Sequence, residues 1–144
     1  MSPLKTTGIE ELKELVSIRK RESKALFDSK NYSGSYYLAG YIIECALKVC
    51  IAKKFNKHVI PDKKFVNEIY CHDLDKLLQL SDLQNELNRK SKSDASFERY
   101  WAVIKDWSEQ KRYETTSSRA LAFDIYKAIT SRKSGVLVWI KQYW

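Results

Sequence analysis

Three short groups of polar residues in this sequence carry side chains that could perform acid–base or anion-binding chemistry. An imidazole can move a proton near neutral pH, a carboxylate can orient an imidazole, and a guanidinium can hold an oxyanion through two parallel hydrogen bonds. We therefore take these groups as the candidate site residues. The first group is Glu44 and Lys48, the second is His72 and Asp73, and the third is Arg112, Tyr113 and Glu114.

Glu44 and Lys48 lie four residues apart in an otherwise apolar run, which extends from residue 36 to residue 52. This spacing places both side chains on one face of a helix. In one interpretation the pair only supports the helix, by roughly 0.2–0.5 kcal/mol. In the other, the two side chains point into a polar pocket or into the contact between two subunits.

His72 and Asp73 immediately precede a leucine-rich segment that begins at Leu74. In the simpler interpretation Asp73 caps the N-terminus of a short helix, where a carboxylate is favoured by the helix dipole. In the functional interpretation His72 carries a proton and faces Arg112 across a helical bundle, because histidine titrates in the range that such a step needs.

Arg112, Tyr113 and Glu114 follow Trp107 in a short polar stretch that predicts a loop between two helices. Arg112 has two interpretations. It either pairs with a carboxylate such as Glu44, which would tie the loop to the apolar helix, or it takes part in catalysis together with His72. The two interpretations are compatible with each other.

The sequence predicts neither a metal site nor a cofactor. Its three cysteines, Cys45, Cys50 and Cys71, include no Cys-x-x-Cys pair, and two of them lie in the apolar run. This usage is typical of reduced core residues in a cytoplasmic protein. A metal site needs three or four convergent ligands, and no glycine-rich phosphate loop is present either.

The elements that position these groups are predicted to be helices. The chain has 144 residues with only four glycines and two prolines, which leaves little turn chemistry for an all-β fold. We expect one domain over residues 1–144, an all-α up-and-down antiparallel bundle of four main helices with one or two short helices. The apolar run is too short and too polar for a membrane span, and no signal peptide is evident, so we expect a cytoplasmic protein without a membrane partner.

Hydrophobic periodicity and turn residues give approximate boundaries for these helices. Thr7 and Glu10 fit a capping box at the start of the first helix. The other predicted features are a break at residues 31–35, a second helix to about Phe55, a long connection at 57–70, a basic loop at 89–93 and one long last helix over 121–140 that Gly135 could bend.

The net charge of +8 and a pI near 9.3 are compatible with attraction to a polyanion. Nucleic acid is the commonest polyanion in a cytoplasm. Charge by itself is a weak indicator, because many basic proteins bind no nucleic acid. The charge therefore makes RNA a candidate partner but does not by itself identify RNA as the partner.

The run Tyr-Tyr-Leu-Ala-Gly-Tyr-Ile-Ile-Glu-Cys-Ala-Leu-Lys at 36–48, together with His72-Asp73-Leu74, Trp101, Trp107 and Arg112-Tyr113-Glu114, resembles the HEPN domains of prokaryotes. The resemblance covers about residues 10–143. It implies a helical homodimer with polar residues at a shared cleft. It also implies one of two functions, a toxin-like or defence-associated ribonuclease, or a non-catalytic module that binds a nucleotide, a nucleotidyltransferase or an antitoxin.

The HEPN families that cleave RNA carry an arginine followed, after four to six residues, by a histidine. This chain departs from that pattern, because neither His58 nor His72 has an arginine at that spacing. The best available catalytic pair is then Arg112 and His72. Whether the protein is an enzyme is therefore open, and a metal-independent ribonuclease and a binding module remain as alternatives.

Overall fold

The computed structural model describes residues 8–55, 60–108 and 118–144. Within these ranges the protein is all-helical, with eight helices and no strand, as the composition predicts. The candidate residues Arg112, Tyr113 and Glu114 lie outside the described residues. The helices are α1 (Ile9–Asp28), α2 (Tyr32–Ala52), α3 (Lys63–Ile69), α4 (Leu74–Leu80), α5 (Gln84–Ser93), α6 (Ala95–Lys105), α7 (Arg119–Thr130) and α8 (Val136–Ile140).

The central helix is α2, which contains the apolar run, and α1, α4, α7 and α8 all pack against it. The helix has 21 residues, which is long enough to span a membrane, so the prediction that this segment is too short is wrong. By length and composition it could cross a membrane, but 72% of its most apolar 18-residue window is buried inside the fold. An apolar surface that is covered by other helices is what the core helix of a bundle requires.

Small polar residues bring α1 and α2 close together. The Ser23 hydroxyl donates to the Ser35 carbonyl oxygen at 2.8 Å, and the Ser35 hydroxyl donates to the Ser23 carbonyl oxygen at 2.8 Å. Both residues are fully buried, so each hydroxyl exchanges its hydrogen bonds with water for a hydrogen bond to the other helix. Because the end of α1 meets the start of α2 here, the two helices are antiparallel neighbours, as the short connection predicts.

The remaining helices complete a single core around α2. In the described part of the chain, α6 packs against α5 and α7, and α4 reaches both α2 and α6. Each contributes an apolar stripe at helical spacing to one continuous cluster. Fully buried members of that cluster include Ile42, Leu47, Leu77, Phe97, Ile125 and Ile140.

The turn between α1 and α2 differs from its prediction. It occupies residues 29–31, where Lys30 adopts a left-handed backbone with φ of 66°, and Ser33, Gly34 and Ser35 are already helical. Their small polar side chains resemble turn residues in sequence, but Ser35 is used for the close approach to α1. The start of α1 also differs, because Gly8 is its N-cap and makes no side-chain cap. Thr7, the predicted cap, lies outside the described residues.

Two segments predicted as loops contain helices. In the 57–70 connection, the Asp62 carboxylate accepts a hydrogen bond from the Lys64 backbone N–H at 3.2 Å and caps α3. The basic stretch 89–93 is the end of α5, where Lys90 and Lys92 lie near the negative end of the helix dipole. Local capping and dipole effects therefore favour helix in both places.

The single long last helix predicted for 121–140 is instead two helices, α7 and α8, separated at residues 131–135. Gly135 makes this turn possible. A Cβ atom at position 135 would lie 2.1 Å from the Ser131 carbonyl oxygen, which is far inside van der Waals contact. The apolar spacing continues through the turn because α7 and α8 bury their residues in the same core.

Candidate functional site

The strongest polar convergence among the described residues surrounds Glu44, in the middle of α2. Its Oε1 accepts a hydrogen bond from Nδ1 of His72 at 2.7 Å, and its Oε2 accepts from Nζ of Lys48 at 3.2 Å. The residue is only 4% exposed. We refer to Glu44, Lys48 and His72 as the Glu44 cluster.

Two elements position the Glu44 cluster. Glu44 and Lys48 are one turn apart on α2, and His72 lies just before α4. The Asp73 carboxylate accepts from the backbone N–H of Lys76 at 3.1 Å and caps α4. This confirms the capping interpretation of Asp73. The buried leucines of α4 fix the helix in the core, so the segment that carries His72 is held beside α2.

Exposure increases across the cluster from the carboxylate to the imidazole. The exposed fraction of the side chain is 5% for Glu44, 19% for Lys48 and 42% for His72. A carboxylate oxygen can only accept from an imidazole N–H, so Nδ1 carries the proton when the carboxylate is ionised. In the neutral ring the lone pair is then on Nε2, the atom that could act as a base. A buried carboxylate thus orients a solvent-accessible imidazole.

An aromatic group from α2 and from the segment after α6 lies beside this imidazole, and Tyr41 is its member in contact with His72. The Tyr41 ring lies edge-on to the His72 ring at a centroid distance of 5.8 Å, and to the Trp107 ring at 5.4 Å. The Tyr37 and Tyr41 hydroxyls are 2.9 Å apart. Trp107 is 3% exposed, and no acceptor within the described ranges reaches its Nε1. Tyr41 therefore links the His72 imidazole to the buried Trp107 ring.

A groove of about 950 Å³ runs beside the cluster between α1, α2 and α3, and we call it the α1–α3 groove. Glu44 and Lys48 line it together with Arg19 of α1, and His72 is not among its lining residues. The rest of the lining is mainly apolar, with Leu12, Leu15, Leu38, Ile51, Phe55 and Ile69. The groove therefore has polar side chains from two helices within a largely apolar surface.

The three cysteines differ in their environments. Burial raises the pKa of the Cys45 thiol to about 11, and nearby Glu44 adds to the effect. Burial also raises the pKa of Cys50 to about 11. Such thiols are poor nucleophiles at neutral pH. Cys71 is partly exposed, and the described residues contain no group of three or more side chains suited to a metal ion.

The structure brings together three of the seven predicted site residues, Glu44, Lys48 and His72, and leaves Asp73 beside them as a helix cap. Arg112, Tyr113 and Glu114 lie outside the described residues, so their relation to the cluster stays a prediction. Tyr41 also belongs to this site, although it was not among the predicted site residues. Tyr41 lies four residues after Tyr37 and three before Glu44, which is the spacing of one helical face. This pattern is the signal that could have indicated it.

No protein-family model, no curated protein and no solved structure matches this chain. The resemblance to HEPN domains therefore stays a prediction from the sequence.

Proposed function

We propose that this chain is a dimeric HEPN-like protein that engages RNA and cleaves it without a metal ion at the Glu44 cluster. The observation that carries the proposal is the hydrogen bond between the buried Glu44 carboxylate and the exposed His72 imidazole. In this proposal α1, α2, α6 and α7 are the four main helices of an up-and-down antiparallel bundle. The dimer places two such clusters at one cleft.

The chemistry proposed for His72 is the transfer of a proton from an RNA 2′-hydroxyl. Nε2 of His72 takes the proton while the 2′-oxygen forms a bond to phosphorus. The bond from phosphorus to the 5′-oxygen then breaks, and the leaving oxygen takes a proton from water. The products are a 2′,3′-cyclic phosphate and a 5′-hydroxyl, and His72 returns its proton to solvent.

The other candidate residues have supporting roles in this proposal. Glu44 keeps the His72 ring oriented and stabilises its protonated form. The Lys48 ammonium and the Arg112 guanidinium stabilise the charge that develops on the phosphate, a role for which a planar guanidinium is well suited. Tyr113 and Glu114 belong to the same polar cleft. The net charge of +8 raises the local concentration of RNA through long-range attraction.

The test uses end-labelled single-stranded RNA incubated with the purified protein in EDTA. We expect cleavage that leaves cyclic-phosphate ends, and a loss of about 100-fold or more in rate for His72→Gln and for Arg112→Ala. His58→Gln is the matched control, because His58 is the only other histidine in the chain. Intact RNA at high protein concentration would reject the catalytic proposal, as would cleavage that persists at the wild-type rate in His72→Gln.

A non-catalytic binding module is the second candidate function, and the α1–α3 groove favours it. Its largely apolar lining suits a hydrophobic segment of a protein partner, such as a nucleotidyltransferase or an antitoxin, better than it suits a phosphate backbone. In that function the Glu44 cluster only ties α2 to the segment before α4. Intact RNA, together with an RNA affinity that His72→Gln leaves unchanged, would favour this second candidate.

A further inference from the structure

A second, smaller cleft lies between α5 and α8, and it shares no lining residue with the α1–α3 groove. Its volume is about 220 Å³, and we call it the α5–α8 cleft. Three cationic side chains line it, Arg89, Lys90 and Lys133, against one carboxylate, Glu86. The lining therefore has a formal charge of +2.

The carboxylates near this cleft leave part of its positive charge unpaired. Arg89 pairs with Glu86, and Lys90 lies 3.4 Å from the Asp94 carboxylate. Asp94 is also an acceptor for the Phe97 backbone N–H at 3.1 Å and for the Ser134 hydroxyl at 2.8 Å, so its oxygens are shared among several donors.

Lys133 makes no ion pair within the described part of the chain, and it lies on the turn between α7 and α8. It is an exposed residue that lines the cleft. Gln142 adds a neutral amide to the lining, and Trp139 forms part of the wall, whereas the Ser93 hydroxyl donates to the Lys90 carbonyl oxygen at 3.1 Å. An oxyanion placed here would meet donors from α5, from the turn before α8 and from the residues after α8.

We propose that the α5–α8 cleft binds a phosphate oxyanion. Phosphate is favoured over a carboxylate because it can accept from several donors that converge from different directions, and Arg and Lys are its usual partners. The phosphate could belong to an RNA backbone, which rests on the proposed function, or to a free phosphate compound. In either case the site is separate from the Glu44 cluster.

The first arm of the test measures the thermal midpoint in sodium phosphate and in sodium chloride at equal ionic strength. It compares the wild type with Lys133→Ala and with Lys105→Ala, which removes the same charge from an exposed position on α6. We expect phosphate to raise the midpoint of the wild type and of Lys105→Ala equally. For Lys133→Ala we expect less than half of that shift.

The second arm measures RNA affinity by fluorescence anisotropy over a range of salt concentrations. If the bound phosphate belongs to RNA, Lys133→Ala weakens binding more than Lys105→Ala does. It also lowers the slope of log K against log salt by about 0.7, the value for one lost contact to a single strand. If only the first arm separates the two variants, the cleft takes a free phosphate compound and the proposal still stands.

The two proposals fail in distinguishable ways. If the wild type binds no RNA, the proposed function fails, and the phosphate arm alone decides about the cleft. If Lys133→Ala and Lys105→Ala behave alike in both arms, the cleft does not bind phosphate, and any RNA affinity then reflects net charge spread over the surface.

Discussion

Burial of Glu44 removes its carboxylate from water, and two side chains replace the hydrogen bonds that it loses. One partner, Lys48, comes from the same helix, whereas His72 comes from a segment 28 residues away in sequence. The sequence predicts the first contact directly, because it follows from helical spacing. It cannot predict the second, because that contact depends on how the chain returns after α3. The three residues could therefore be proposed from sequence, but not their convergence.

Glu44→Gln tests how much these contacts contribute to stability. The amide keeps the shape of the side chain but has only one acceptor oxygen, and it cannot form charge-assisted hydrogen bonds with both partners. We expect the free energy of unfolding in urea to fall by about 1–3 kcal/mol. The matched control is Glu22→Gln, which breaks an exposed pair with Arg19 and should change stability by less than about 0.5 kcal/mol. Equal effects of the two substitutions would contradict a special role for Glu44.

Asp94 predicts a pH-dependent contribution to stability. Hydrogen bonds from the Phe97 backbone N–H and from the Ser134 hydroxyl lower its pKa below the ordinary value of 3.8. A carboxyl with a lowered pKa in the folded state stabilises the fold fully above its ordinary pKa, and loses that contribution as the pH falls through its folded value. We expect Asp94→Ala to lower the thermal midpoint at pH 7 and to have a much smaller effect near pH 2.

The control for Asp94 is Asp124→Ala, which removes an exposed carboxylate from α7. Its effect on the thermal midpoint should be small at both pH values. Asp94 is the N-cap residue of α6. A difference between wild type and Asp94→Ala that stays constant from pH 7 to pH 2 would show that this cap stabilises α6 without its charge.

At the scale of the elements, the contact between α2 and the end of α6 depends on a glycine. A Cβ atom at position 40 would lie 1.9 Å from the Trp107 ring, and because that ring is buried it can move only by disturbing its neighbours in the core. Gly40 therefore has a packing role within α2, although glycine weakens a helix by about 1 kcal/mol relative to alanine. Tyr41, which touches both the Trp107 ring and His72, follows it directly.

Gly40→Ala should lower the free energy of unfolding by about 1–3 kcal/mol, because overpacking outweighs the better helix propensity of alanine. Tryptophan fluorescence should change as well, since the Trp107 ring is displaced. Gly34→Ala is the matched control on the same helix. There the new Cβ would meet only the flexible end of Leu26, at 3.1 Å, so stability should be unchanged or slightly higher. The interpretation is wrong if Gly40→Ala is as stable as Gly34→Ala.

Elements with a strong apolar pattern were predictable, and those set by local turns were not. α2 and α6 follow from apolar spacing, and the short helices α4 and α5 were expected as one or two elements. The separation of α7 from α8 was missed, because both helices bury their residues in one core and the pattern does not change at the turn. α3 was missed because it has only seven residues, so the helical spacing of Phe65, Val66 and Ile69 is too short to be told from that of a loop.

At the scale of the whole molecule, the buried side chains form one continuous cluster that includes residues of every described helix except α3. A protein with a single core of this size is expected to unfold in one cooperative transition. We expect urea transitions followed by far-UV circular dichroism and by tryptophan fluorescence to coincide. Trp101, Trp107 and Trp139 lie in different parts of the core, so fluorescence samples several contacts at once. Transitions that separate would indicate that part of the bundle unfolds independently.

The environments of the three cysteines have a practical consequence for spectroscopy. Cys45 and Cys50 are buried with raised pKa values, whereas Cys71 is partly exposed and directly precedes His72 in the chain. A maleimide dye or a nitroxide spin label should therefore attach to the folded wild-type protein at one position. The natural sequence thus allows a reporter group to be placed beside the Glu44 cluster without any substitution.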